Sequence, residues 1–266
     1  MSPRFDIHQH FGKLLGVPGS SGRSVTIEDD RETRLAFLDA FGIGQCALMP
    51  GHSYAAPRGL ADVRAINDGL HAYASLAPNR FAAIFGTLDP RHGPAVVTEV
   101  ERLAIMGFRG LSWHHRFQGL PMDHPVMFAI VEAMEAHGMV VLAHCYAHGD
   151  FEAPWRLRRL AERFRETQFF ALDAMTSPEN LDQLIEVAED LGNVHIDLTS
   201  TLLGSRAVER AVRRLGAERL VFGSNYYSMS RVSRVVAIDA VERANLCDDQ
   251  KAAILGGNAR TLLGLG

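Results

Sequence analysis

The sequence predicts a (β/α)8 TIM barrel in a single domain, 1–266, and three observations predict it. Eight short apolar runs alternate with segments of 3.6-residue periodicity. The runs are apolar almost throughout, as strands of a parallel sheet buried on both faces are. A length of 266 residues suits eight such units. The alternative reading of the same alternation is a doubly wound open sheet.

The elements follow in order. Phe5–His10 is the first strand; Gly44–Met49, Phe81–Leu88, Phe108–Trp113, Met139–His144, Phe169–Asp173, Val194–Thr199 and Leu220–Asn225 are the next seven. Apolar faces at helical spacing fill the gaps, such as Leu60, Val63, Ile66 and Leu70, or Leu181, Leu184, Ile185 and Ala188. Gly42, Gly107, Gly138, Gly192 and Gly216 each close a helical pattern. Ser177-Pro178-Glu179 opens one with a capping serine and a proline in the first turn. The Gly- and Ser-rich stretch 13–24 is expected to be a loop at the mouth of the barrel, and 248–264 an extra C-terminal helix.

Composition narrows the partners. A net charge of −4 argues against nucleic acid, whose binding leaves a basic footprint. The basic runs around Arg156–Arg159 and Arg210–Arg214 are interleaved with acids at helical spacing and read as solvated faces. No apolar stretch is long enough for a membrane span. The three cysteines are odd in number and far apart, which suits a reduced, cytoplasmic protein. A homodimer is the default oligomer.

In a barrel of this kind the active site is built at the C-terminal ends of the strands. His8 and His10 lie two apart on the first strand and so share a face. His144 ends the fifth strand, Asp173 the sixth and Asn225 the eighth, while Asp197 and Thr199 lie on the seventh. Three imidazoles with one or two oxygen donors make a divalent metal site, with zinc the expected ion. His114, Trp113, Tyr226 and Tyr227 are the candidate substrate contacts for a small molecule. Cys145 and His148 suggest a nucleophile pair, but no third partner is recognisable. Asp6 and Asp197 read as supports for their strands.

Asp6-Ile7-His8-Gln9-His10-Phe11-Gly12 resembles the opening motif of the amidohydrolase superfamily. The resemblance is to the branch of metal-dependent hydrolases and aminocarboxymuconate-semialdehyde and γ-resorcylate type decarboxylases. Gly107–Leu111, Val140–His144, Leu220–Ser224 and Gly257–Arg260 look like its fourth, fifth and eighth strands and its closing helix. Such proteins usually end the sixth strand in histidine and the eighth in aspartate, a metal ligand and base. This chain has Asp173 and Asn225 there. Either the carboxylate has moved from strand eight to strand six, or standard catalysis has been lost. The resemblance implies a metal-dependent hydrolase working through a metal-activated water, with Asp173 as acid/base and Asn225 in the site. The alternatives are a decarboxylase (lyase) on a carboxylate-bearing substrate, or a metal-free barrel that binds a small molecule.

Overall fold

The structure is a computed structural model that describes residues 3–12, 26–51, 56–146, 149–199, 203–227 and 233–265. The expected mouth loop, 13–24, lies outside these residues. The chain alternates as anticipated: β1 (Arg4–Phe11), α1 (Ile27–Ala40), β2 (Ile43–Pro50), α2 (Leu60–Ala74), β3 (Phe81–Gly86), α3 (Thr98–Ile105) and β4 (Gly110–Trp113). There follow α4 (His115–Gln118), α5 (Pro125–Ala136), β5 (Val140–His144), α6 (Pro154–Arg163), β6 (Phe169–Leu172), α7 (Pro178–Asp190) and β7 (Val194–Asp197). The last part holds α8 (Gly204–Leu215), β8 (Leu220–Val221), β9 (Tyr226–Tyr227), α9 (Val236–Arg243), α10 (Asp248–Ala252) and α11 (Asn258–Leu262).

Local chemistry sets the boundaries. Thr26 Oγ1 accepts from Asp29 N–H at 3.1 Å to open α1, and Ser177 Oγ accepts from Asn180 N–H at 3.2 Å to open α7; each satisfies a donor that the helix leaves unpaired. Of the five glycines expected to close helices, Gly42, Gly107, Gly138 and Gly216 have positive φ and Gly192 does not.

The strands form one parallel TIM-like sheet in the order β8-β7-β6-β5-β4-β3-β2-β1-β9. This corrects the expectation of eight strands closing a full ring. The eighth run is divided, because residues 222–225 leave the ladder between β8 and β9 and Asn225 takes a left-handed backbone, φ 56°. Two backbone bonds tie that segment to β1: Ile7 N–H to Phe222 O at 3.0 Å and Asn225 N–H to His8 O at 2.9 Å.

Period-two alternation divides the core into two layers. Phe5, Ile7, Met49, Phe85, Val140, Leu142, Phe170, Leu172 and Val221 pack inside the curved sheet. Leu48, Leu111, Trp113, Val141, Phe169 and Ile196 face outward against the helices. Phe170 and Leu142 are fully buried, each stabilising the fold by about 1.5–3 kcal/mol. The C-terminal segment is not one helix: α10 passes through a π-helical turn at residues 253–257 into α11. The turn brings Gly256 so near β1 that a Cβ there would lie 2.9 Å from Phe5 N. α11 then inserts Ala259 and Leu263 beside Phe5 in the inner layer. No described helix is long and apolar enough to cross a membrane.

Candidate metal centre

The first strand changes faces before it reaches the site. Phe5 and Ile7 belong to the inner layer, so strict alternation would put Gln9 inside. The pairing of β1 with β2 slips between Asp6 and Gln9, the kind of irregularity that re-aims a side chain next to a site. Gln9 instead meets the buried guanidinium of Arg34 on α1 at 2.9 Å, and His8 and His10 turn to His144. Asp6 steadies the slip, accepting from His8 N–H at 3.1 Å, Ser224 N–H at 2.9 Å and Gln9 Nε2 at 2.7 Å. Arg34 also donates to His10 O at 2.8 Å and pairs with Asp30. Breaking such a buried pair costs about 3–5 kcal/mol.

The three histidines are buried, and one ring nitrogen from each lies within 4.8 Å of the others. The Nδ1 atoms face acceptors: Asp197 Oδ2 at 2.8 Å and Thr199 Oγ1 at 3.0 Å for His8, Pro50 O at 2.8 Å for His10, and Trp113 O at 2.7 Å for His144. Carboxylates and carbonyls only accept, so Nδ1 carries the hydrogen and Nε2 the lone pair. The Nε2 atoms of His8 and His10 are 2.9 Å apart, and two lone pairs at that distance need a positive charge between them. Burial disfavours the charged form of His8, but the Asp197 carboxylate outweighs it and the pKa is raised. Burial pushes His144 down to about 4, leaving it a neutral imidazole at neutral pH. These residues fit a divalent cation, with Asp197 fixing the tautomer of His8 as a carboxylate behind a ligating histidine does.

The oxygen donors sit differently. Asp173 and Asn225 are the two non-glycine residues with positive φ among the described residues, at 55° and 56°. Each is bent into a left-handed conformation just past an apolar run, a strain of about 1–2 kcal/mol that Asp and Asn bear better than most residues. Asp173 is buried, and its charge acts on both His8 and His144. Asn225 Oδ1 is buried with no hydrogen-bond partner, an atom suited to a cation or a ligand.

Of the four candidate substrate contacts, two adjoin the histidines. Tyr227 stacks on His10 (4.3 Å, 19°) and His114 on His144 (4.3 Å, 6°). With His10 on His144 (5.7 Å, 23°) and Tyr146 on His114 (5.8 Å, 11°) they form a row of near-parallel rings. Trp113 and Tyr226 fall on the alternate positions and face the outer layer. The Trp113 indole donates to Leu88 O at 3.1 Å, and Tyr226 packs on Phe37 (4.2 Å) with Arg34 over its ring (4.9 Å). Cys145 is buried, which pushes its thiol pKa well up; His148 lies outside the described residues.

Two participants have no sequence signal of their own. Glu152 comes from a short turn after β5 and meets His114 Nδ1 at 2.5 Å. At Gly223 a Cβ would fall 2.4 Å from Asp197 Oδ1 and Thr199 Oγ1 and 2.6 Å from His8 Cβ, so the triad that orients His8 requires glycine.

Solved structures resemble this fold along nearly its full length. One is 2,6-dihydroxybenzoate decarboxylase from Rhizobium, 17% identical, covering 100% of this chain and 99% of that one, with a TM-score of 0.75. Another is a dihydroxybenzoic acid decarboxylase from a Polaromonas species with bound manganese and 2-nitroresorcinol, 16% identical over 100% and 98% of the two chains, TM-score 0.76. A third is 5-carboxyvanillate decarboxylase from Novosphingobium aromaticivorans with manganese and 4-hydroxy-3-methoxy-5-nitrobenzoic acid, 18% identical over 99% and 96%, TM-score 0.76. No curated protein matches the chain by sequence. The amidohydrolase family model matches residues 5–265, and the chain belongs to the amidohydrolase family.

Proposed function

We propose that this chain is a metal-dependent decarboxylase acting on an aromatic acid with a hydroxyl beside its carboxylate. The observation that carries the reading is the pair of strand-end residues: the sixth run ends in a carboxylate, Asp173, and the eighth in an amide, Asn225. An amide takes no proton at neutral pH, so the position where the family keeps its hydrolytic base cannot serve as one. Decarboxylation needs no attacking water. The full-length likeness to hydroxybenzoate decarboxylases supports the same class.

His8, His10 and His144 would hold the cation, their Nδ1 atoms being engaged elsewhere, and the buried Asn225 amide oxygen would serve as a neutral donor. An imidazole set suits zinc, and two of the similar structures contain manganese. When bound, the cation supplies positive charge that binds and polarises the oxygens of the substrate. Asp173 takes the phenolic proton on a carboxylate oxygen and delivers it to the ring carbon that bears the carboxylate. The bond from that carbon to the carboxylate then breaks, its electron pair returns to the ring, and CO2 leaves with the phenolate. Tyr227 and His114 flank the centre as contacts for the planar substrate.

The second reading is hydrolysis, favoured by the buried carboxylate of Asp173. Incubating the purified protein, loaded with zinc or manganese, with 2,6-dihydroxybenzoate and with a panel of lactones and amides separates the two. CO2 release from the acid is expected. Turnover of a lactone or amide with no CO2 from any hydroxybenzoate establishes the hydrolase.

A further inference from the structure

The proposed reaction gives no role to Arg34, a charged side chain on α1 that is fully buried. Its guanidinium donates to two groups of β1: Nη1 to Gln9 Oε1 at 2.9 Å and Nη2 to His10 O at 2.8 Å. Its central carbon lies over the ring of Tyr226, 4.9 Å from the centroid. Tyr226 follows Asn225 directly, and in the ladder of β1 with β9 it stands opposite Gln9. One planar group therefore touches both the strand that carries His10 and the strand that starts beside Asn225.

The guanidinium is itself fixed. Nε faces Tyr73 OH at 3.2 Å and Asp30 Oδ1 at 3.3 Å, and Nη2 reaches the same Oδ1 at 3.3 Å. Tyr73 OH also donates to Asp30 Oδ1, and its ring stacks on Phe11, the last residue of β1, at 3.8 Å and 18°. A carboxylate, a phenol and a guanidinium from α1 and α2 thus clamp the end of β1 from behind. A buried ion pair is weak evidence of a role in stability, because apolar side chains of like volume often serve as well. What they cannot supply is a rigid fork that fixes two acceptors at once.

We propose that Arg34 is a positioning residue for the metal centre. Through the His10 carbonyl, Gln9 and the Tyr226 ring it sets how the β1 histidines stand relative to the segment that bears Asn225. It thereby sets the geometry in which these donors meet a cation. The inference rests on the metal-dependent reading of the site, and it holds whichever reaction the centre performs.

Cobalt(II), whose visible absorption reports coordination geometry, is the probe, added to chelator-stripped protein without substrate. Arg34→Lys keeps the charge but loses the planar fork and its hold on two acceptors. Its cobalt Kd is expected to rise about tenfold or more, as for other partners behind a ligand, and its spectrum at saturation to differ from that of wild type. A role in stability alone would leave the saturated spectrum unchanged, because every molecule that holds cobalt is folded. The double variant Arg34→Met/Asp30→Leu removes both charges together. It is expected to show the same two changes, and it decides the matter if the lysine variant does not fold. A variant with wild-type affinity and spectrum overturns the inference, and so does weaker binding with an unchanged spectrum. Either result, with cobalt bound by wild type, removes the role of Arg34 alone. If wild type itself takes up no cobalt, the metal-dependent reading fails and the inference falls with it.

Discussion

The imidazole side of the centre and its oxygen side are built on different principles. His8, His10 and His144 sit within strands, and each has Nδ1 held by an acceptor on another strand, Asp197 on β7, Pro50 on β2 and Trp113 on β4. Their positions follow from sheet geometry. Asp173 lies just past β6 and Asn225 just before β9, both in left-handed backbone, where a one-residue bend sets their aim. The centre thus joins a part placed by strand geometry to a part aimed by single left-handed residues.

The sharpest way to break this division is Asp173→Asn. It should lower turnover roughly 10²-fold or more, the usual contribution of a positioned acid/base, with metal content and far-UV circular dichroism unchanged. Unchanged turnover would remove the relocated carboxylate from the mechanism. Its counterpart, Asn225→Asp, should tighten zinc binding, measured by calorimetric titration with zinc, since it adds a charge at the buried orphan oxygen. On the imidazole side, Asp197→Asn should leave the fold intact and weaken metal affinity by about 10–100-fold, the usual effect of changing the partner behind a ligating histidine. Competition with a fluorescent chelator measures it.

Much of the strand-placed half was legible in the sequence. Two histidines at i and i+2 and one ending an apolar strand are signals of periodicity, and periodicity is what strands obey. The slip in β1 was not legible, because it depends on Asp6 gathering backbone donors from His8 and Ser224. That slip decides which face His8 and His10 take. Trp113 and Tyr226 show the limit of reading a rim from position alone: each is one residue out of phase with an inward neighbour, so its ring packs outward. Glu152 was illegible for another reason. It reaches His114 from a three-residue turn 38 positions away, and no local pattern marks such a meeting. The division of the eighth strand did carry a signal, since Gly223, Ser224 and Asn225 are residue types that turns favour.

Two smaller effects probe the packing behind the comparison. Gly223→Ala forces a methyl group against Asp197, Thr199 and His8 and should cost about 1–3 kcal/mol, read as a lower urea midpoint with reduced metal content. On β7, burial lowers the pKa of His195 to about 3. The unfolded chain, with a histidine near 6.5, takes up the proton first as the pH falls. The stability that His195 contributes is therefore complete above about pH 6.5 and is lost progressively down to about pH 3. His195→Gln should flatten that loss by about 2 kcal/mol at pH 5, measured by urea unfolding at pH 5 and pH 8.

The bonds that join residues 222–225 to β1 give the molecule a latch. The strand order begins at β8 and ends at β9, and His8 O with Asn225 N–H is one of the two backbone bonds across the gap. His8 and Asn225 thus sit on opposite leaves of one joint, and the bond that sets them side by side also joins the two ends of the sheet.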